Sequence, residues 1–386
     1  MASSIRDQNA KPNHGKTMTR HSFHTSRATR AFRWPALVLA VGSLAAGLTT
    51  GPHRDIAFAH AVGTPGRLND HAAHSATSKP PFRFFSPTSF WNEEVPVGAA
   101  IDPHSAEVIS AFLATIDAEE QAKNGPWINT TAYSIPIYEV PASQPVLTVH
   151  LSGSVNPALS AAWHSVPLPK TAEPAAGTDG DLMIWQPSTN KLWEFWRLVH
   201  GATGWHASWG GAMDDVSTAQ GAYGPEAWPD AQTSWGISAS SMSLAGGLIT
   251  LEDLADGEID HALEMAIPGI RSGVFASPAQ RSDGRNDAAA ALPEGAHLQL
   301  NPALNLESLH LAPFTLMLAR AAQRYGIFVT DGSPIATFYA QDPDPTGSNP
   351  YAGANGYFDG EYPDQLLATF PWSQLQLLSM ELHSTG

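Results

Sequence analysis

The sequence predicts a mainly β protein: a single β-sandwich, jelly-roll-like, with a few helices at its edges. Three observations predict it. Apolar residues fall in many short runs broken by Gly, Pro, Asn and Asp, the spacing of strands and turns. Long amphipathic helical stretches are scarce, and the 32 Gly and 31 Pro are spread evenly. No segment recurs at a fixed period, which argues against a propeller or solenoid.

The elements follow in order. Residues 1–60 read as a signal segment. Seven Lys and Arg between Arg6 and Arg33, against the single acid Asp7, precede an uncharged apolar run from Trp34 to Thr50. A basic stretch followed by a short apolar one is the layout of a secretory signal, with Ala57-Phe-Ala59 and Ala59-His-Ala61 as cleavage sites. A retained membrane anchor is the alternative. Residues 61–80, poor in large apolar groups, read as a flexible leader, and 81–386 as one β-rich domain.

Within that domain Asp102-Pro-His-Ser105 opens a helix over 104–116, with Val108, Ile109, Phe112, Leu113 and Ile116 on one stripe. Residues 135–140 and 146–151 read as strands. Residues 182–186 and 191–199 form a hairpin around Pro187-Ser-Thr-Asn190, and 205–213 is a third strand of that block. Thr250 caps a short helix, with Asp253 three residues on. Residues 257–267 read as a strand closed by Pro268, and 283–291 as a surface loop. Residues 313–325 make the strongest helix of the chain, ended by Gly326. Residues 327–329 and 335–339 then pair as a hairpin.

Charge and composition narrow the function. The first 60 residues hold eight of the 20 basic and two of the 36 acidic side chains, so the remainder carries a net charge of −22. Such a surface repels nucleic acid and anionic membranes, and neither is expected as a partner once the signal is removed. Zero cysteines exclude disulfide scaffolds, Cys-bound zinc and thiol nucleophiles. The chain has no His-Glu-x-x-His, Walker loop, dinucleotide glycine fingerprint or Gly-x-Ser-x-Gly elbow. Asp342-Pro-Asp-Pro-Thr-Gly347 starts like a calcium loop, but Gly353 stands where a bidentate Glu would close it. No metal and no cofactor is expected.

Eight of the 12 tryptophans lie between Trp163 and Trp235. On the strand 191–199, Trp193, Phe195 and Arg197 share one face, and Glu194 and Trp196 the other. One face must meet the core. The other is free to line a groove where flat rings meet sugar faces, although large aromatics also serve as plain core filling. Asp179, Asp181, Glu194, Asp214, Asp215, Glu226 and Asp230 lie in the same block. Glycoside hydrolysis needs one protonated and one ionised carboxyl. Glu194, flanked by aromatics that raise its pKa, is the candidate acid, and Asp214 or Asp215 the candidate base or nucleophile. Trp196, Trp205, His206, Trp209 and Trp235 are the candidate substrate-binding residues. His261, placed on a strand face with Ile259, Leu263 and Met265, is a satisfied core residue or else a base oriented by a carboxylate.

Several blocks together carry a resemblance: Asp179-Gly-Asp-Leu-Met-Ile-Trp with Leu192-Trp-Glu-Phe-Trp-Arg197, Gly204-Trp-His-Ala-Ser-Trp-Gly, Trp235-Gly-Ile-Ser-Ala-Ser, Ala245-Gly-Gly-Leu-Ile-Thr, Gly257-Glu-Ile-Asp-His-Ala-Leu, and Gly295-Ala-His-Leu-Gln-Leu with Arg324-Tyr-Gly-Ile-Phe-Val-Thr-Asp. Over roughly 170–340 the chain resembles a broad group of secreted bacterial proteins. The resemblance implies shared export and a shared site near Glu194, Asp214, Asp215 and His261, and it carries no mechanism. Leu182 stands where that pattern has His.

The expected function is that of a secreted carbohydrate-active protein with a polysaccharide or oligosaccharide partner, a glycoside hydrolase on a neutral polysaccharide being favoured. Two alternatives differ in chemistry. A polysaccharide lyase would use His261 with Tyr223 or Tyr325 and needs a basic groove. A non-catalytic carbohydrate-binding or cell-surface module needs only an aromatic strip.

Overall fold

A computed structural model describes residues 82–153, 155–224 and 234–385. The signal segment, the leader, Glu226 and Asp230 lie outside the described residues. In chain order, Asp102 accepts the His104 N–H at 2.8 Å and starts α1 (Ser105–Ala122). Its buried stripe is Val108, Ile109, Phe112 and Ile116, as the sequence predicts, and it runs on to Lys123 in the left-handed region. Three short strands follow, β1 (Trp127–Asn129), β2 (Ile137–Glu139) and β3 (Val149–Leu151), and then α2 (Pro157–Ala162).

The aromatic block comes next. β4 (Leu182–Gln186) and β5 (Lys191–Trp196) form the expected antiparallel hairpin, with Leu182 opposite Phe195 and Gln186 opposite Lys191. After β6 (Val199–Gly201), the expected third strand breaks at Ser208 into β7 (Gly204–Ala207) and β8 (Trp209–Met213), which belong to different sheets. The capping box of Thr250 and Asp253 closes on α3 (Leu251–Asp256). The 257–267 segment is strand only over β9 (Leu263–Ile267), so His261 precedes the strand instead of sharing its face.

The rest comprises β10 (Val274–Ala276), β11 (His297–Leu300), α4 (Pro313–Arg324), β12 (Ile327–Gly332), β13 (Thr337–Tyr339), α5 (Pro363–Leu367), β14 (Leu375–Leu377) and β15 (Leu382–Ser384). β12 and β13 do not pair as the expected hairpin. β9 lies between them, parallel to β12 and antiparallel to β13. Every residue of β9 is buried, so this strand needs a neighbour on both edges, and a hairpin would leave one edge open.

The described chain is β-rich, with several sheets, few helices and no barrel. The largest sheet has the order β1-β13-β9-β12-β11-β14; others are β2-β4-β5-β8, β3-β7-β6 and β10-β15. Four pairs are parallel, β1/β13, β9/β12, β2/β4 and β3/β7, where a jelly roll is antiparallel throughout. Helices also lie on a sheet face rather than only at edges: α4 packs against β11 and β9.

Side-chain alternation gives two cores. Leu263, Met265 and Ile267 of β9 and Ile327 and Val329 of β12 enter one with α1 and α4. Phe328 of β12 and Ala262 enter the other, with Trp91, Trp163, Trp193 and the β4–β5 hairpin. The second core therefore sits between the six-stranded sheet and the hairpin sheet. Among the described residues no helix is long and apolar enough to cross a membrane.

Candidate functional site

Where the two larger sheets come together, a cleft of about 490 Å³ opens. Asp179, Asp181, Trp196 and Trp209 come from the hairpin sheet and Asp331 and Tyr339 from the six-stranded sheet, with Arg281 and Asp283 from a loop. The segment 234–239 crosses between them.

Local structure explains how each group arrives. Asp179 and Asp181 flank Gly180, a residue at φ 50°. The Asp179 and Gly180 carbonyls accept the Arg197 and Leu198 N–H groups at 2.6 and 3.0 Å, which straps this turn across the end of β5. Trp196 and Trp209 are direct cross-strand partners, and both indole N–H groups are engaged, on Asp179 Oδ1 at 3.4 Å and on the Ser234 carbonyl. Arg197 stacks on the Trp196 ring 4.1 Å from its centroid, which fixes that indole from behind. Asp331 reaches the cleft because β12 bulges between Val329 and Asp331. One extra residue re-aims the next side chain across the sheet.

The carboxyls are not equivalent. Asp181 is buried at 8% exposure, and its Oδ1 has no hydrogen-bond partner. Burial, then repulsion from Asp179, Asp331 and Glu194, holds it protonated far above the ordinary aspartate range. Asp331 is half-buried. Burial raises it to about 6 against the opposing pull of the Ala239 and Gly332 N–H groups, 3.0 and 2.7 Å away. Arg281, anchored on Ser241 Oγ at 2.8 Å and the Ser238 carbonyl at 2.6 Å, is the only cation among the described residues lining the cleft.

Beneath the cleft lies a second tier of acids. Glu264 of β9 is fully buried with both oxygens unpartnered, and burial followed by its acidic neighbours Glu194, Asp331 and Asp181 raises it well above the ordinary glutamate range. Glu194 is also fully buried, raised by burial to about 7. Its oxygens accept the Ser243 hydroxyl and the Ile237 N–H, the latter at 3.4 Å. Among the described residues no group of three or more His, Asp or Glu is disposed to hold a metal ion.

The expected site residues scatter. Glu194 does share a side of β5 with Trp196, but Gly236 and Ile237 cross over it, so the expected acid is a layer below the cleft surface. Asp214 pairs with Lys191 at 2.7 Å and is mostly exposed, and Asp215 is an exposed turn residue at φ 52°. The β5/β8 register puts them at the opposite end of the hairpin from Trp196 and Trp209, roughly 15 Å along the strand. His261 is buried, its Nε2 3.1 Å from Asp253 Oδ2 and its Nδ1 2.8 Å from the Ala262 carbonyl, a satisfied core pair away from the cleft. Trp205 is buried beside His200, and His206 bonds Thr203 at 2.8 Å; both sit in the three-stranded sheet, outside the cleft. Trp235 is 2% exposed, points into the second core, and does not line the cleft.

Asp181, Asp331, Arg281 and Tyr339 carry the site instead. Asp181 is among the carboxyls that the sequence places in the aromatic block, whereas the sequence does not single out Asp331, because the bulge that aims it at the cleft has no local sequence signal. No family model, no characterised protein and no solved structure matches this chain.

Proposed function

We propose that the protein is an exported glycoside hydrolase acting on a neutral polysaccharide, with Asp181 as general acid and Asp331 as base or nucleophile. The observation that carries this is two carboxyls in one aromatic-walled cleft in unlike surroundings, Asp181 buried with an unpartnered oxygen and raised well above the aspartate range, Asp331 half-buried and raised to about 6. Asp181 would give its proton to the glycosidic oxygen as the bond from the anomeric carbon breaks. In the inverting course water adds to that carbon, Asp331 takes its proton, and exchange with solvent then deprotonates Asp331 and reprotonates Asp181. In the retaining course Asp331 attacks that carbon to form a glycosyl ester, and Asp181, now ionised, takes the proton of the water that displaces Asp331, which restores both groups. Trp196 and Trp209 are the stacking surfaces, and Asp179 orients the Trp196 indole.

The acidity of the cleft favours this reading over a uronate lyase. Even with Asp181 neutral, Asp179, Asp283 and Asp331 outnumber Arg281 along its described lining, which repels a polyanion, and His261 lies elsewhere. We also read the two larger sheets as the layers of a sandwich, and the 1–60 segment as the route to the extracellular space.

The test is to incubate residues 61–386 with neutral and uronic polysaccharides, following reducing ends and the absorbance of new double bonds together. Reducing ends without new absorbance, lost in Asp181→Asn, support the hydrolase. Absorbance from uronic substrates alone overturns it. Tight binding with no cleavage by the wild type makes the protein a carbohydrate-binding module.

A further inference from the structure

We propose that the cleft is the middle of a three-part groove that seats an internal stretch of a neutral polysaccharide, so that cleavage is endo. This rests on the hydrolase reading above. The first argument is continuity. Tyr133 lines both the cleft and a second cavity of about 550 Å³. On the other side, Asp283 and Gly332 line both the cleft and a third cavity of about 490 Å³. Concavities that share walls in series suit a ligand longer than any one of them holds.

The second argument is chemistry. The second cavity combines the rings of Trp127, Tyr133 and Tyr362 with the amides of Asn129 and Asn349, and among the described residues lining it Glu361 alone is charged. Flat rings beside amides match the apolar face and the hydroxyl rim of an uncharged sugar. Tyr133 and Tyr362 are 43% and 68% exposed, large aromatic surface left open to solvent. In the third cavity Arg285, Asn286 and Ser333 offer hydrogen-bonding groups of the kind that meet hydroxyls.

The third argument is the way Tyr133, at the junction, is built. Its φ of 58° is uncommon for a bulky side chain, and strain of this sort persists where the surroundings over-determine it. Its N–H donates to the Ala176 carbonyl at 2.7 Å and its carbonyl accepts from Asn129 Nδ2 at 2.9 Å. Its ring lies over Gly177, where a Cβ would come within 2.8 Å of it. Gly177 begins the loop that carries Asp179 and Asp181, so one loop sets both the acid and the junction ring.

The experiment uses Asp181→Asn, which removes turnover, titrated calorimetrically with gluco-, xylo-, manno- and arabino-oligosaccharides. Wild-type protein is followed in parallel by viscosity and reducing ends on the matching polysaccharides. One series should bind about tenfold or more tighter as it lengthens from about two to about eight sugars. Tyr362→Ala, a change at an exposed ring, should erase most of that gain and leave binding of the shortest members within about twofold. Viscosity should fall well before reducing ends accumulate. Affinity independent of length, or release of short products from chain ends with viscosity maintained, overturns the groove and leaves the hydrolase reading standing. Absence of binding in every series, together with absence of cleavage, overturns both.

Discussion

Asp181 and Asp331 are the same residue type placed in one cleft, yet burial separates their titration, and the pH dependence of activity follows from that separation. Asp331 must be ionised, so the rate should rise as pH climbs through about 6. Asp181 must stay protonated, and burial with its acidic neighbours raises it well above the usual range, so the falling limb of the profile should lie well above the pH at which an ordinary aspartate ionises. Asp181→Asn should lower the rate by about 10² to 10⁴ with unchanged circular dichroism, whereas Asp214→Asn, which disrupts only an exposed ion pair, should stay within about twofold. Glu194 makes a separate prediction about stability. Its folded pKa of about 7 exceeds the ordinary 4.5, so the native state holds a proton that the unfolded state loses. That contribution is full below pH 4.5 and fades as pH rises through 7, on the order of 3 kcal/mol at most. Glu194→Gln should therefore flatten the loss of thermal stability between pH 5 and 8. An unaltered slope would show that other groups set it.

At the scale of elements, two small devices hold the site's supports. The Thr250 hydroxyl accepts the Asp253 N–H at 3.1 Å and donates to Asp253 Oδ2 at 2.7 Å, and that same oxygen meets His261. Thr250→Ala should cost about 1–2 kcal/mol in denaturant unfolding, with Thr250→Ser restoring most of it. Gly210 is the second device. It sits opposite Phe195 in the β5/β8 pair with φ 151°, and a Cβ there would meet the Glu194 carbonyl oxygen at 2.0 Å and the buried Trp163 ring at 2.9 Å. Gly210→Ala should destabilise by about 3 kcal/mol or more, and a midpoint shift of under half that size would mean the strands can move apart. The elements that local pattern decides were legible in the sequence: α1, α4, the Thr250 cap and the β4–β5 hairpin are each set by neighbours a few residues away. The β7–β8 break and the insertion of β9 between β12 and β13 were not, because strand pairing joins residues far apart in the chain.

For the whole molecule the electrostatic field makes the discriminating prediction. The chain carries a net charge of −16, and even with Asp181 neutral the described lining of the cleft sets Asp179, Asp283 and Asp331 against one arginine. Cleavage of a neutral glycan should change little between low and moderate ionic strength. A uronic polymer should bind weakly at low salt, and better only as salt screens the repulsion. Tight uronate binding at low salt would contradict the neutral-substrate reading.

The sequence by itself determined the β-rich character, the helices and the hairpin, the acidic balance, and the faces of β5: Glu194 and Trp196 do project to one side. These depend on period, caps and composition, which are local properties. Tertiary structure alone decided that the 236–237 segment covers Glu194, that a bulge aims Asp331 at the cleft, and that Asp181 is stripped of solvent. A carboxyl becomes a proton donor through its depth and through the charges packed around it. Glu194 is already near Asp181 within the β4–β5 hairpin, but Glu264 of β9 and Asp331 of β12 come beside it only through tertiary packing.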